Sequence, residues 1–440
     1  MKKDTLITGL ALFAMFFGAG NLIFPPFLGM ESGTDWVIGF LCFILIDVAL
    51  SCLGIFALNA AGGANAAVEG SLGRVPGLVL NTAVILCTGM VIAEPRTAAT
   101  TYEMSMIPLF GDSVNMLAFS ALFFAVVLAL SIRQTRLVSI IGKVLTPLLV
   151  LCVFVIIVTG VVYPLGEIGA PLSSHAAQDG ILAGYQAMDV LACVGFAIVM
   201  ENAARTAGYT RREDQLKVIA GASVVAGALL AVIYGGLTYL GASSALAFGA
   251  GMDRSTLIVE ITKHLLGNTG VIILGIIVGL ACLTTAIGLT GASASYFERT
   301  THGKISYRTG VIVTVLVSFA ICNLGLNAIV AFAAPILSVV CPPFMVCVVM
   351  VLFKKRMGTT WPIKGAALGA FVISLLTTID DTYGVLPAIK ALPFTDLGFS
   401  WLPFAIAGGI IGAVAFKAIK GNKGNKGNKG NKGNKGNKGN

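Results

Sequence analysis

Residues 6–30 form an apolar run long enough to cross a bilayer, yet its middle reads Phe17-Gly18-Ala19-Gly20-Asn21-Leu22-Ile23-Phe24-Pro25-Pro26. Two glycines and two prolines are poor choices for the interior of a continuous helix. In hydrocarbon, freed backbone groups are tolerated only where they are buried in protein or line a cavity. The chain therefore needs a surrounding bundle that encloses this break. The break in turn exposes amide N–H groups and carbonyls at membrane depth.

Composition supports such a bundle. Of 440 residues, 57% are hydrophobic and 11% charged, and mean hydropathy is +0.92. Soluble domains carry about a quarter charged residues. Length alone suggests several domains, but repeated apolar spans assemble into one, here residues 1–419. The nine cysteines lie almost all inside apolar spans and form no CxxC pair, which reads as small buried hydrophobes without disulfides. The net charge of +9 misleads, because seven lysines sit in a Gly-Asn-Lys repeat over 420–440 and the remainder carries +2. That repeat has nothing to bury and is expected to be disordered. The first apolar run lacks a small-residue cleavage site and reads as a span, not a signal peptide.

A span needs about 20 mainly apolar residues. Twelve candidates follow, near 6–30, 36–60, 78–102, 114–132, 138–163, 185–206, 216–241, 268–297, 308–323, 326–353, 363–381 and 399–418. The Gly/Ala-rich stretch 54–73 also reads as a possible re-entrant segment. With the N-terminus cytoplasmic, 25 Lys and Arg fall inside and three, Arg254, Lys263 and Lys390, fall outside; Arg96 lies within a span. This bias predicts a multi-pass protein of the cell membrane with both termini cytoplasmic.

A second interruption is expected at residues 188–197, Met188-Asp189-Val190-Leu191-Ala192-Cys193-Val194-Gly195-Phe196-Ala197, five spans after the first. Matching interruptions in two halves are the sequence mark of an inverted-repeat secondary transporter. The reading is an all-α membrane protein with a 5+5 inverted repeat, about 6–163 and 185–353. Spans 11 and 12, about 363–418, are peripheral. Backbone amides of Ala19, Gly20 and Asn21, at the start of the outgoing half-helix, suit a carboxylate.

The stretch Phe17 to Pro25 resembles the signature of the branched-chain amino acid:cation symporter (LIVCS) family, in the amino acid–polyamine–organocation superfamily with the LeuT-type fold. Gly18-Ala19-Gly20 is similar to the Gly-Ser/Ala-Gly motif of amino-acid permeases. Leu283-Thr284-Thr285-Ala286-Ile287 and the Pro335 and Pro342-Pro343 region extend the likeness over 1–419; the repeat tail has no counterpart. The resemblance implies a Na+-coupled importer of Leu, Ile and Val working by alternating access. It implies a sodium site from the Ala14, Phe17 and Ala281 carbonyls with the Thr284 and Thr285 hydroxyls, oxygen donors suited to a hard cation. The substrate is then expected at Gly18, Ala19, Gly20 and Asn21, with ammonium acceptors near Leu191 and Ala192. Cys193, Val194, Gly195 and Phe196 would form a wall for an aliphatic side chain.

Ionisable groups at membrane depth are functional candidates by default. Asp189, just before the second break, and Asp47 in span 2 are candidates for proton coupling or gating. Glu94-Pro95-Arg96 reads as a local ion pair at a proline kink, and Glu201 and Arg205 as an i, i+4 pair. Three alternatives stay open: proton coupling, a channel, and a sensor. No nucleophile elbow, metal cluster or phosphate loop points to an enzyme or an ATP-driven pump. The expected partners are a small amino acid and the lipid bilayer, with no nucleic acid and no obligate protein partner.

Overall fold

The computed structural model describes residues 2–132, 137–249 and 251–432, and all of its regular structure is helical. Arg133, Arg136 and the last eight residues, which entered the charge and tail readings, lie outside the described residues. Span 1 consists of α1 (Lys2–Phe16) and α2 (Ala19–Ser32). Span 2 is α3 (Trp36–Ile44), a π turn at Leu45–Ala49, and α4 (Leu50–Ala61). The stretch suspected of re-entering divides into the end of α4 and a separate short helix, α5 (Ala64–Leu72). Span 3 runs from α6 (Arg74–Leu86) through a π turn to α7 (Ala93–Thr101), a second π turn and α8 (Ile107–Phe110). Spans 4 and 5 are α9 (Met116–Ile132) and α10 (Leu137–Val162).

Span 6 is again split, into α11 (Ala176–Ala187) and α12 (Asp189–Thr206). Span 7 is α13 (Arg212–Phe248). Span 8 is α14 (Arg254–Thr300), which leaves helical geometry at Gly267 (φ 65°, ψ −169°). Spans 9 and 10 are α15 (Tyr307–Cys322) and α16 (Leu326–Val351). A short α17 (Lys354–Met357) leads to α18 (Trp361–Tyr383) and α19 (Leu402–Lys432), spans 11 and 12. The backbone of α19 continues past residue 419 into the Gly-Asn-Lys repeat, where the sequence reading expects order to end.

Helix packing carries the signature of a repeat offset by five spans. Span 1 packs on span 7, and span 6 packs on span 2. Span 5 lies against span 8, and span 10 against span 3; span 4 lies against spans 8 and 9, and span 9 against span 3. Each contact maps onto another, or onto itself, when five is added to or taken from its span numbers. Spans 11 and 12 pack chiefly on each other and on span 10. Outward-facing Leu122, Val224 and Ile411 are exposed, as a lipid-facing surface requires, while Asn21, Asp47, Glu94, Arg96 and Asp189 are buried.

The tightest of these seams lies beside the first break. A Cβ on Gly29 of α2 would collide with the Thr238 carbonyl, and one on Gly241 of α13 with the Pro26 carbonyl. Small residues let membrane helices approach this closely, because lipid tails offer no hydrophobic drive to push helices together.

Candidate functional site

The first break is confined to Phe17 and Gly18. α1 ends at Phe16, the Phe17 N–H donates to the Phe13 carbonyl at 2.9 Å, and Gly18 is extended (φ −115°, ψ −172°) before α2 begins. Pro25 and Pro26 are not part of it, contrary to the sequence reading; both lie inside α2. Of the three amides expected to meet a carboxylate, that of Asn21 is engaged with the Gly18 carbonyl at 3.2 Å. Ala19 and Gly20 remain as first-turn amides, which have no acceptor inside their own helix.

The second break falls at the first residue of the expected stretch. Met188, in the left-handed region (φ 69°, ψ 10°), separates α11 from α12. That conformation is uncommon for a residue with a side chain. The Leu191 and Ala192 amides both donate to the Met188 carbonyl at 3.0 Å, so these two residues open α12 instead of supplying unwound carbonyls. The freed carbonyls belong to Gln186 and Ala187. The expected wall also disperses: the Cys193 thiol packs where a side chain on Gly54 of span 2 would lie, and Gly195 has open space beside it. Phe196 meets Phe16, at the end of α1, edge-on at 5.1 Å.

Polar side chains join the two breaks. Asn21 Nδ2 donates to the Phe16 carbonyl and to Asp189 Oδ2, each at 2.8 Å, and also approaches the Tyr234 hydroxyl of span 7. Asp189 in turn neighbours Asp47. Asp47 lies on the π turn of span 2, fully buried, with Asp189 beside its carboxyl. π turns recur at functional sites because they rotate one residue out of the helical register.

Arg96 was misread from sequence. It makes no ion pair with Glu94: Glu94 Oε1 accepts from Thr290 of span 8 at 2.8 Å. Arg96, 5% exposed, reaches instead to the second break, donating to the Gln186 carbonyl at 2.6 Å and the Ala187 carbonyl at 3.4 Å. The physical reason is helical spacing, since residues two apart do not face each other. The sodium candidates are arranged as follows. Thr284 Oγ1 donates to the Ala281 carbonyl at 2.8 Å, Ala14 lies in α1, and the Phe17 ring stacks on Phe13 and Tyr234.

A cavity of about 560 Å³ descends to the second break from one end of the bundle. Phe24, Tyr185, Gln186 and Trp401 line it deeply; Glu31, Asp179 and Arg254 line its mouth. At the other end, Tyr209 donates to Asp4 Oδ2 at 2.9 Å, tying the start of α1 to the segment after span 6.

Among the described residues, a bundle of apolar helices with five-span exchange symmetry, two broken helices apposed at their centres and a cavity reaching the second break defines a multi-span membrane protein of the LeuT-type fold. Solved structures agree in fold. The nucleobase-cation-symport-1 family transporter Mhp1, closed with bromovinylhydantoin bound, superposes with a TM-score of 0.63 at 14% identity, over 94% of this chain and 93% of that one. An outward-open, substrate-bound Na+-coupled sialic acid symporter gives 0.60 at 15%, over 93% and 89%. The family model described as branched-chain amino acid transport protein matches residues 1–419, and the chain belongs to that family. The branched-chain amino acid permease BrnQ of Escherichia coli K12 is 32% identical, with 92% of each chain covered. BraB of Bacillus subtilis 168, also a branched-chain amino acid permease, is 33% identical over 94% of this chain and 95% of its own. These relatives are named as permeases, not enzymes.

Proposed function

We propose that this protein is a secondary active importer of Leu, Ile and Val, driven by a sodium gradient and working by alternating access. The observation that carries this reading is the apposition of the two helix breaks through Asn21 and Asp189, beside a cavity that reaches Gln186 at the second break, in a chain whose relatives are branched-chain amino acid permeases. The substrate carboxylate meets the Ala19 and Gly20 amides at the positive end of α2. Its ammonium meets the carbonyls of the second break, and its aliphatic side chain lies among apolar neighbours such as Phe24. An uncompensated charge on that side chain would meet a desolvation penalty. The bias of basic residues supports cytoplasmic termini; with that orientation the cavity opens outward and the Asp4–Tyr209 contact closes the inner end.

For sodium, Ala14, Phe17, Ala281, Thr284 and Thr285 are all oxygen donors, as a hard cation requires. Thr284 gives its proton to the Ala281 carbonyl and keeps its oxygen lone pairs for the ion. Sodium on the Phe17 carbonyl would hold the same unwound segment that presents the Ala19 and Gly20 amides, which couples ion to substrate. The test is uptake of labelled leucine, isoleucine and valine into proteoliposomes with and without an inward sodium gradient. Concentrative, sodium-driven uptake that Thr285→Ala weakens at low sodium supports the reading. Uptake that ignores sodium and follows a pH gradient overturns the choice of ion. That result would favour the second reading, proton coupling through Asp189 and Asp47, whose carboxyl groups lie against each other beside the break.

A further inference from the structure

Arg96 is a cation at membrane depth whose nearest hydrogen-bond partners are backbone carbonyls. No carboxylate among the described residues comes within 4.0 Å of it. Buried charge of this kind is costly unless paired, and at membrane depth it marks function. Its position is specific. One guanidinium nitrogen lies 2.5 Å from where a Cβ on Gly20 would stand, so the glycine at the start of α2 makes room for the arginine. The guanidinium also lies 5.4 Å from the centre of the Phe24 ring, and Phe24 lines the cavity. Arg96 therefore stands between the proposed carboxylate donors of α2 and the carbonyls of the second break. Beside it, the Gln186 side chain lines the cavity, is 8% exposed, and has an Oε1 with no partner among the described residues.

We propose that Arg96 is a substrate-binding residue: it takes the amino acid's carboxylate together with the Ala19 and Gly20 amides. Without substrate its guanidinium occupies the Gln186 and Ala187 carbonyls. An arriving zwitterion exchanges with it. The carboxylate draws the guanidinium into a charge-assisted, two-pronged pair, and the ammonium takes the released carbonyls and Gln186 Oε1. Asp189 and Asp47 both act on Arg96 electrostatically, so a zwitterion adds no net charge to a buried cluster of mixed sign. The arrangement selects free α-amino acids over amines of the same side chain, because an amine leaves the arginine with no anion to meet.

This inference rests on the proposed function. Its test is competition of unlabelled leucine and leucinol, which lacks the carboxylate, against labelled leucine binding to the purified full-length protein. Wild type should prefer leucine on the order of 100-fold, the range a charge-assisted hydrogen bond gives. Arg96→Gln should reduce that preference to about 5-fold or less, chiefly by weakening leucine. Gly20→Ala keeps the arginine but moves its guanidinium, and should narrow the preference in the same direction even if Arg96→Gln does not fold. A preference that survives in Gly20→Ala, or in folded Arg96→Gln, overturns the role of Arg96. If wild type binds no branched-chain amino acid, the proposed function itself fails, which is a separate outcome.

Discussion

Asn21 and Asp189 are hydrogen bonded at 2.8 Å across 168 residues of sequence, and both are buried. The bond links the first turn of α2 to the first residue of α12, so the two half-helices are positioned by each other. Asn21 also caps the freed Phe16 carbonyl at 2.8 Å, and one side chain therefore bridges all three edges of the paired breaks. Replacing Asn21 with Leu leaves a buried carboxyl and a buried carbonyl without their donor. The expected loss is about 1–3 kcal/mol, read as a lower melting temperature in detergent, with leucine transport falling at least about tenfold. Asn21→Gln, which keeps the amide but displaces it, should lose transport more than stability.

The seam between α2 and α13 predicts a packing effect independent of the site's chemistry. A methyl on Gly29 or Gly241 has backbone carbonyls of the opposite helix in its way. Gly29→Ala and Gly241→Ala should each destabilise the protein by about 1–3 kcal/mol, the usual range for overpacking. Thermal unfolding checks this, and the double variant should cost less than the sum, since both methyls push the same two helices apart. Full additivity would place the strain elsewhere.

The Asp4–Tyr209 contact predicts a conformational bias. The hydrogen bond from Tyr209 holds the Asp4 carboxyl below its usual range. The charged form is therefore kept wherever pH exceeds the ordinary carboxylate value, and the contact weakens only as pH falls below it. Between pH 5 and 8 the contact should be constant. Tyr209→Phe or Asp4→Asn should loosen this end of the bundle at every pH in that range. The check is labelling of a cysteine introduced near the N-terminal end of span 1, expected to quicken about two- to fivefold in either variant.

How legible this was varies by residue, for physical reasons. The first break could be read because two glycines interrupt an otherwise apolar run; the prolines overstated its length, since a helix in a bundle tolerates them inside α2. The second break was found in the right span, at the N-terminal edge of the stretch read for it, whereas the sequence drew the eye to its middle. Its pivot is Met188, and a methionine in the left-handed region leaves no compositional mark. Gly195 drew attention for its residue type, though it sits within α12. Arg96 was paired by proximity in sequence with Glu94, whereas a helix points them to different neighbours, Gln186 and Thr290. Tertiary contacts over 90 and 196 residues cannot be read from spacing. Most spans were legible because each is set by its own hydropathy: eight helices among the described residues are long and apolar enough to cross a membrane.

Glu94 offers a further check on that correction. Its partner is Thr290, so Thr290→Val should destabilise the packing of span 3 on span 8 by about 1–3 kcal/mol. The preference for leucine over leucinol should stay unchanged. A shift in that preference would tie Glu94 to the substrate and undo the separation between it and Arg96.

The central claim is that the substrate binds between the two helix breaks. Electron cryomicroscopy of the full-length protein with leucine and sodium tests it directly. The account predicts leucine density with its carboxylate at the Ala19 and Gly20 amides and its ammonium at the Gln186 and Ala187 carbonyls. Density confined to the outer cavity among Glu31, Asp179 and Arg254, with both breaks still bridged only by Arg96 and Asn21, would contradict it.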